Sequence, residues 1–321
     1  MTVQERVLSE SDVANFIEQG IHEIAESVKG ARAINALSGG VDSSVVTLMG
    51  HRALGDALTT CFIDNGIMRE GEPEHIVEIF RALDVPVELI DAKDRFFQAL
   101  AGLTDPEQKR EAITRTFYAD VFAERVRDSG ATFLLQGTNY TDVEETVAGI
   151  KRQHNILEQL GLDTQALYGY RVVEPVLPLR KPSIRLCAKA LGLPDEIVNR
   201  PPFPGPALAA RVIGEVTRER IELVRRATSI VEQELSTSGA FQSLAILHQD
   251  QVTGIRSGGR QFGYQIEVRC WDSRDATTGT PTELPFEVLS RLGRRIPEEI
   301  PQVVSVTYHI APKPPATIEA V

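Results

Sequence analysis

Eight consecutive residues, Leu37-Ser38-Gly39-Gly40-Val41-Asp42-Ser43-Ser44, carry the clearest chemistry in the sequence. They lie between a short apolar run and a helical repeat. Gly39 and Gly40 let the backbone turn tightly and approach a ligand closely. Successive N–H groups at a helix N-terminus form an anion-binding nest, to which Ser38, Ser43 and Ser44 add hydroxyls. Asp42 would repel a bare phosphate, so it makes sense beside a divalent cation, for which oxygen-liking Mg²⁺ is the natural candidate. No Lys follows the glycines, so this is neither GxxxxGK[ST] nor GxGxxG. The bland alternative is a glycine turn with a serine cap.

The surrounding pattern supplies the elements that must position such a loop. Val13, Phe16, Ile17, Ile21, Ile24 and Val28 recur at helical spacing, with Ser9, Ser11 and Asp12 as cap candidates. Ala31 to Leu37 reads as a strand and Ser43 to Leu54 as a helix. Leu58–Ile63, Val85–Ile90 and Thr132–Leu135 read as strands, alternating with helices Glu72–Leu83 and a long Asp105–Val126. Val172–Leu179 and Ser183–Leu191 add one more strand and helix. Alternating strands and helices imply βαβ units and a parallel sheet, whose ligands sit at the carboxyl ends of strands. Between Thr141 and Tyr170 the periodicity weakens, and Gly149 to Asn155 reads as a surface loop or a mobile lid. The run Arg200-Pro-Pro-Phe-Pro-Gly-Pro206 holds four prolines in seven residues and is the boundary candidate. Beyond it a helix (Thr217–Leu235), strands (Ser243–Leu247, Tyr264–Trp271), a helix (Pro285–Arg295) and a strand (Val303–Ile310) predict a smaller α+β domain. The expected division is 1–199 and 200–321.

Composition narrows the function classes. The 321 residues carry 34 Lys+Arg against 45 Asp+Glu, a net charge of −11, which argues against a large footprint on nucleic acid. Cys61, Cys187 and Cys270 are widely spaced, with no CxxC pair, so neither a disulfide framework nor a zinc ribbon is expected. Each thiol reads as buried core. No stretch approaches 18 apolar residues, and Met1 to Ser11 has no apolar signal core, so a soluble cytoplasmic protein without membrane contact is expected.

The loop resembles the pyrophosphate-binding loop of the N-type ATP pyrophosphatases, which cleave ATP between the α and β phosphates and adenylate a substrate oxygen. Other segments resemble one branch, the GMP synthetase family: Phe62-Ile-Asp-Asn-Gly66, Asp94-Arg-Phe96, Ala101-Gly, Asp105-Pro106, Gln136-Gly-Thr138, Val173-Glu-Pro175, Ala190-Leu-Gly-Leu-Pro194, Pro202-Phe-Pro-Gly-Pro206, Arg211-Val-Ile-Gly-Glu215 and Lys313-Pro-Pro-Ala-Thr-Ile-Glu319. They occur in the family's order from Leu37 to Glu319. The resemblance implies an ATP pyrophosphatase domain followed by a dimerisation domain, a homodimer, ATP as cosubstrate, Mg²⁺, and a purine nucleotide acceptor aminated by ammonia. Ser38 to Ser44 would hold pyrophosphate, with Asp42 helping to hold the metal. Leu37, Ile63 and Phe117 match positions that sandwich adenine, and Gly137, in the Gln-Gly-Thr motif, would join the ATP- and pyrophosphate-binding residues. Asp64 follows the second strand. Asp142 and Glu145 would lie beside the acceptor. Lys151 and His154 match a lid, and Lys181 a Lys near the phosphates. Arg260, Lys313, Ile318 and Glu319 match positions around the nucleotide acceptor.

The departures from the family pattern cluster around the acceptor. The lid, usually Lys-Ser-His-His-Asn-Val-Gly-Gly-Leu-Pro, is Lys151-Arg-Gln-His-Asn-Ile-Leu-Glu-Gln-Leu160. Gly-Thr-Ile-x-Pro-Asp-x-Ile-Glu is Gly137-Thr-Asn-Tyr-Thr-Asp-Val-Glu-Glu145, and the final Ile-Glu-Trp-Glu is Ile318-Glu-Ala-Val321. The ATP loop is intact. A site built to hydrogen-bond a polar base rejects analogues strongly, so such changes point to altered specificity or to drift in a working enzyme. Three readings stay open: GMP synthetase; a relative adenylating another nucleotide or heterocycle for amination or sulfur transfer; and a non-catalytic nucleotide binder. None of the cysteines sits in a glycine-flanked elbow with a His partner, so ammonia would arrive free or from a separate glutaminase subunit.

Overall fold

The computed structural model describes residues 4–147, 169–201, 203–274 and 276–320. Two compact units divide the chain. The first comprises residues up to Ile63, Pro73–Asp91 and Phe117–Arg200; the second comprises Asp64–Glu72, Ala92–Thr116 and the chain from Pro201 onwards.

The first unit is built on a five-stranded sheet of order β3-β2-β1-β4-β5, from β1 (Ala33–Ala36), β2 (Leu58–Asp64), β3 (Glu88–Asp91), β4 (Phe133–Leu135) and β5 (Arg171–Val173). The central β1 runs parallel to both β2 and β4, pairing Ala33 with Leu58 and with Phe133, and β4 runs parallel to β5. The α/β expectation is borne out. Its first helices are α1 (Val13–Val28), α2 (Val41–Leu54) and α3 (Glu72–Ala82). The amphipathic α1 buries Val13, Phe16, Ile17, Ile24 and Val28, and packs on α2.

Several boundaries differ from the sequence pattern for identifiable reasons. The long helix expected over 105–126 is broken. After α4 (Lys93–Leu100), α5 (Pro106–Arg115), which like α4 belongs to the second unit, starts at Asp105, whose carboxylate accepts the Gln108 N–H at 2.9 Å. Residues Thr116–Phe122 then widen into a π-helical turn before α6 (Ala123–Ser129). In that turn Val121 and Phe122 are buried and Phe117 is half-buried. The strand expected over 172–179 stops at Val173, since Pro175 and Pro178 have no N–H to continue a ladder. A helix that the weak periodicity concealed, α7 (Tyr140–Val147), starts instead from an Asn139 cap. The unit closes with α8 (Lys181–Leu191) and the short α9 (Asp195–Val198).

The second unit has the helix α10 (Arg218–Glu234) against a long hairpin, β6 (Gln242–Arg256) and β7 (Gly259–Asp272). Ser257 and Gly258, both at positive φ, form its two-residue turn. The strands outrun their apolar cores because Gln249, Asp250 and Gln251 lie on exposed backbone. β8 (Thr280–Pro281) pairs antiparallel with the end of β7, and β9 (Val303–Tyr308) pairs parallel with its middle, after α11 (Phe286–Glu299). Leu244, Ile246, Trp271 and Ile318 form a buried cluster on one sheet face. Among the described residues no helix is long and apolar enough to cross a membrane.

Candidate active site

The glycine-serine loop leaves the carboxyl end of β1. The Leu37 N–H reaches across to the Cys61 carbonyl at 2.8 Å, so the chain stays on the sheet for one more residue. Gly39 then turns at φ +75°, a left-handed conformation that glycine adopts without steric cost. Gly40, extended at φ −80° and ψ 156°, is the N-cap of α2 and offers no side-chain cap. The first N–H groups of α2 are therefore left without intrahelical partners, at the positive end of the helix dipole. Serine hydroxyls fix the loop's shape. Ser43 Oγ accepts the Ser38 N–H at 3.2 Å, lies 2.9 Å from Ser38 Oγ, and donates to the Gly40 carbonyl at 3.0 Å.

A buried polar network holds the loop from below. Thr60 Oγ1 donates to Asn35 Oδ1 at 2.7 Å, and Asn35 Nδ2 donates to Thr47 Oγ1 at 2.6 Å. Thr47 Oγ1 in turn donates to the Ser43 carbonyl at 2.7 Å. Both β1 and β2 are thus tied to the first turn of α2. Nothing in the periodicity marks Asn35 or Thr60, although a polar residue inside an apolar strand is a visible signal. Arg200, the residue before the proline run, carries no such signal; its guanidinium donates to the Gly39 carbonyl at 2.8 Å.

Asp42 occupies the first turn of α2, and its Oδ2 accepts from the Lys181 ammonium. Lys181 itself opens α8, where a cation opposes the helix dipole, so Asp42 is its compensating partner. Asp42 Oδ1 is buried and has no hydrogen-bond partner among the described residues, and the Ser44 and Thr138 hydroxyls share that condition. Gly137, just past β4, comes against the same turn: a Cβ there would lie 3.0 Å from the Ser43 nitrogen and 3.1 Å from the Asp42 carbonyl carbon. The first unit thus brings together Ser38 to Ser44, Gly137 and Lys181. Leu37 and Ile63 are buried, just past β1 and on the neighbouring β2. Phe117 is half-buried, stacked on Phe122 with centroids 6.3 Å apart.

The other expected positions have separate surroundings. Asp142 caps its own helix, accepting the Asn139 N–H at 3.0 Å. Glu145 lies on α7. Lys151, His154 and the lid expected over 149–155 lie outside the described residues. Asp64, in the second unit, is buried and pairs with Lys93 at 2.7 Å while accepting the Gly66 N–H at 2.9 Å. In the same unit Arg260 is exposed near the tip of the β6–β7 hairpin. Lys313 donates to the Ala276 carbonyl at 2.6 Å. Ile318 is packed in the apolar cluster, and the Glu319 carboxylate is held by Arg211 at 3.2 Å and by Gln242 at 2.9 Å. Cys61, Cys187 and Cys270 are all buried with free thiols, and burial pushes Cys61 up to about 12 and Cys187 to about 11. Neither of these two is an activated nucleophile.

A parallel α/β sheet with a preformed glycine-serine anion cradle at the end of a central strand defines a phosphate-binding α/β protein. Residues 11–205 match the family described as NAD synthase, and residues 229–320 match the GMP synthase C terminal domain. Over nearly its full length the chain is similar to proteins of three archaea, each named as one subunit of a glutamine-hydrolyzing GMP synthase. It is 48% identical to that of Archaeoglobus fulgidus over 309 residues, covering 96% of this chain and 99% of the relative. For Pyrococcus furiosus the identity is 46%, covering 95% and 96%, and for Methanocaldococcus jannaschii 44%, covering 96% and 99%. The chain belongs to this GMP synthase family, a family of ATP-using, C–N bond-forming ligases.

Proposed function

We propose that this chain adenylates the C2 carbonyl oxygen of XMP and lets ammonia displace AMP at that carbon, converting ATP, XMP and ammonia into AMP, pyrophosphate and GMP. The observation that carries the reading is the loop itself: a preformed anion cradle at the N-terminus of α2, with Asp42 and Lys181 paired at its rim.

The chemistry follows from where charge develops. The loop N–H groups and the Ser38 and Ser43 hydroxyls bind the departing pyrophosphate, and Lys181 offsets its charge. Such donors are fixed before the reaction, so little reorganisation is needed when the α–β bond breaks. Leu37, Ile63 and Phe117 hold adenine, which sets the α phosphorus in line with the attacking oxygen. Asp42 would hold Mg²⁺. Its buried Oδ1, without a partner among the described residues, suits a hard cation that takes one or two carboxylates and completes its shell with phosphate oxygens and water. When bound, that ion neutralises phosphate charge. By the family resemblance Lys151 and His154 would take catalytic roles, and Asp142 and Glu145 would serve the acceptor. AMP makes the former carbonyl oxygen a good leaving group, and ammonia displaces it.

Residues 1–199 carry the ATP chemistry in this reading, and residues 200–321 carry the acceptor contacts of Arg260, Lys313, Ile318 and Glu319. Ammonia comes from a separate glutaminase subunit, in keeping with relatives named as one subunit of a glutamine-hydrolyzing enzyme. A second copy of the chain docks through the second unit, where Ile255 and Phe262 are 81% and 70% exposed on the hairpin.

The test is pyrophosphate release from ATP with Mg²⁺ and ammonium, with and without XMP, while GMP is followed. XMP-dependent pyrophosphate with equimolar GMP is the expected result. ATP binding without any XMP response would refute the reading.

A further inference from the structure

One face of β7 carries Glu267, Arg269 and Trp271 at every second residue. Over this face runs the end of the chain, residues 316–320. The apolar part of the contact is plain: Ile318 packs with Trp271, Leu244 and Ile246. The polar part is unusual for a sheet face. Glu267 Oε1 accepts from Arg269 Nε at 2.6 Å and lies 3.0 Å from His309 Nδ1; its Oε2 lies 2.8 Å from His248 Nε2. Three basic side chains, from β6, β7 and the residue after β9, converge on one carboxylate. Two of them, His248 and Arg269, hold it at about pKa 2: burial pushes it up, and their hydrogen bonds outweigh that.

Arg269 links this group to the chain end. It is 9% exposed, and its Nη1 donates to the Thr317 carbonyl at 2.8 Å and to the Ile318 carbonyl at 3.3 Å. A guanidinium can do both jobs at once because its donors point along fixed directions in one plane; a lysine ammonium cannot. Glu267 fixes the Nε edge, so Nη1 faces the two carbonyls. One residue further on, Glu319 is gripped by Arg211 and Gln242. The chain end is thereby held at two successive places, by the backbone carbonyls of Thr317 and Ile318 and by the Glu319 carboxylate.

We propose that Arg269, oriented by Glu267 and its two histidines, is a positioning residue for the acceptor: it sets the backbone of Thr317 and Ile318 so that Lys313, Ile318 and Glu319 meet the XMP nucleotide in one geometry. This rests on the functional reading above. It does not rest on Arg269 touching substrate, and its signature is selective. Losing the clamp weakens acceptor binding and leaves ATP binding alone, because the ATP loop belongs to the first unit.

The experiment compares the wild type with Arg269→Lys and Glu267→Gln in the full chain. It reads KM for XMP, KM for ATP, and hydrogen exchange of the amides of 316–320 against those of β6 and β7. In Arg269→Lys, KM for XMP rises about tenfold or more and KM for ATP moves less than about twofold. Exchange at 316–320 speeds up while β6 and β7 keep their protection. Glu267→Gln retains one acceptor for Arg269 and falls between. Unchanged KM for XMP with unchanged exchange would overturn the proposal. So would a variant that loses β6–β7 protection and shifts both KM values together, since Arg269 would then only stabilise the sheet. A wild type with no XMP-dependent pyrophosphate release would refute the functional reading itself, and with it the acceptor role. That outcome is seen before any variant is made.

Discussion

Gly137→Ala is the sharpest perturbation of the ATP loop that leaves every loop residue in place. A Cβ at position 137 would sit 3.0 Å from the Ser43 nitrogen, 3.1 Å from the Asp42 carbonyl carbon and 3.3 Å from Asp42 Cβ. Non-bonded carbon contacts are comfortable at about 3.5–4.0 Å, so β4 and α2 must separate by roughly 0.5 Å. Two of the three atoms are main chain in the first turn of α2, so no side-chain rotation relieves the clash. Forcing a methyl into such a contact costs about 1–3 kcal/mol. The same displacement moves the anion cradle. A misplacement of about 1 Å costs about 10²-fold in rate, so half of it should lower kcat/KM for pyrophosphate release by about tenfold. The assay is XMP-dependent pyrophosphate release beside thermal melting, with Gly293→Ala as the control. Gly293 lies inside α11 with nothing within 4 Å of its Cβ position, so there the same methyl should stabilise by about 0.5–1 kcal/mol. Wild-type kinetics and melting in Gly137→Ala would refute the argument that this glycine sets the distance between β4 and the loop.

Lys181→Met separates stability from chemistry. The ammonium is half-exposed, so its ion pair with Asp42 contributes at most about 1 kcal/mol and melting should hardly move, while pyrophosphate release falls about 10²-fold or more; a large loss of melting temperature with retained rate would contradict this. Acid stability should carry a signature of Glu267. Its carboxyl is lowered from 4.5 to about 2 on folding, so its stabilisation is complete above about pH 4.5 and is lost as pH falls through about 2. About 2 kcal/mol of the wild type's loss between about pH 6 and pH 3 should then be absent in Glu267→Gln, measured by urea unfolding at both values; an identical loss in the variant would sink the assignment. Lys109 should act at the other end. It is buried, donates to the Val212 carbonyl at 2.8 Å, and burial lowers it from 10.5 to about 8. The unfolded chain keeps the proton that the folded chain gives up, so this lysine's contribution to stability rises from about pH 8 to about 10.5, and that rise should vanish in Lys109→Met.

What the sequence made legible and what it hid divide along one physical line. Patterns that depend on period were readable: α1 from its apolar stripe, the βα alternation of the first unit, and the loop from glycines and serines at a strand end. The family was readable because its motifs keep order over the whole chain. Interactions that depend on long-range pairing were not. Asn35 reads as a blemish in an apolar strand until Thr60 and Thr47 are seen on either side of it. Arg200 reads as the start of a proline run until Gly39 is placed beside it. Glu267 and Arg269 read as ordinary polar positions of an alternating strand, because nothing local shows that residues 317 and 318 will lie across that face. The π-helical turn at 116–122 also has no periodic signature, since an extra residue in one turn shifts the stripe without abolishing it. The same division bears on how the site would tolerate change. The loop residues specify the chemistry locally, so substitutions there should act on rate. Asn35, Arg200 and Arg269 act by holding backbone carbonyls or the groups that hold them, so substitutions there should act first on the position of a segment and only through it on rate.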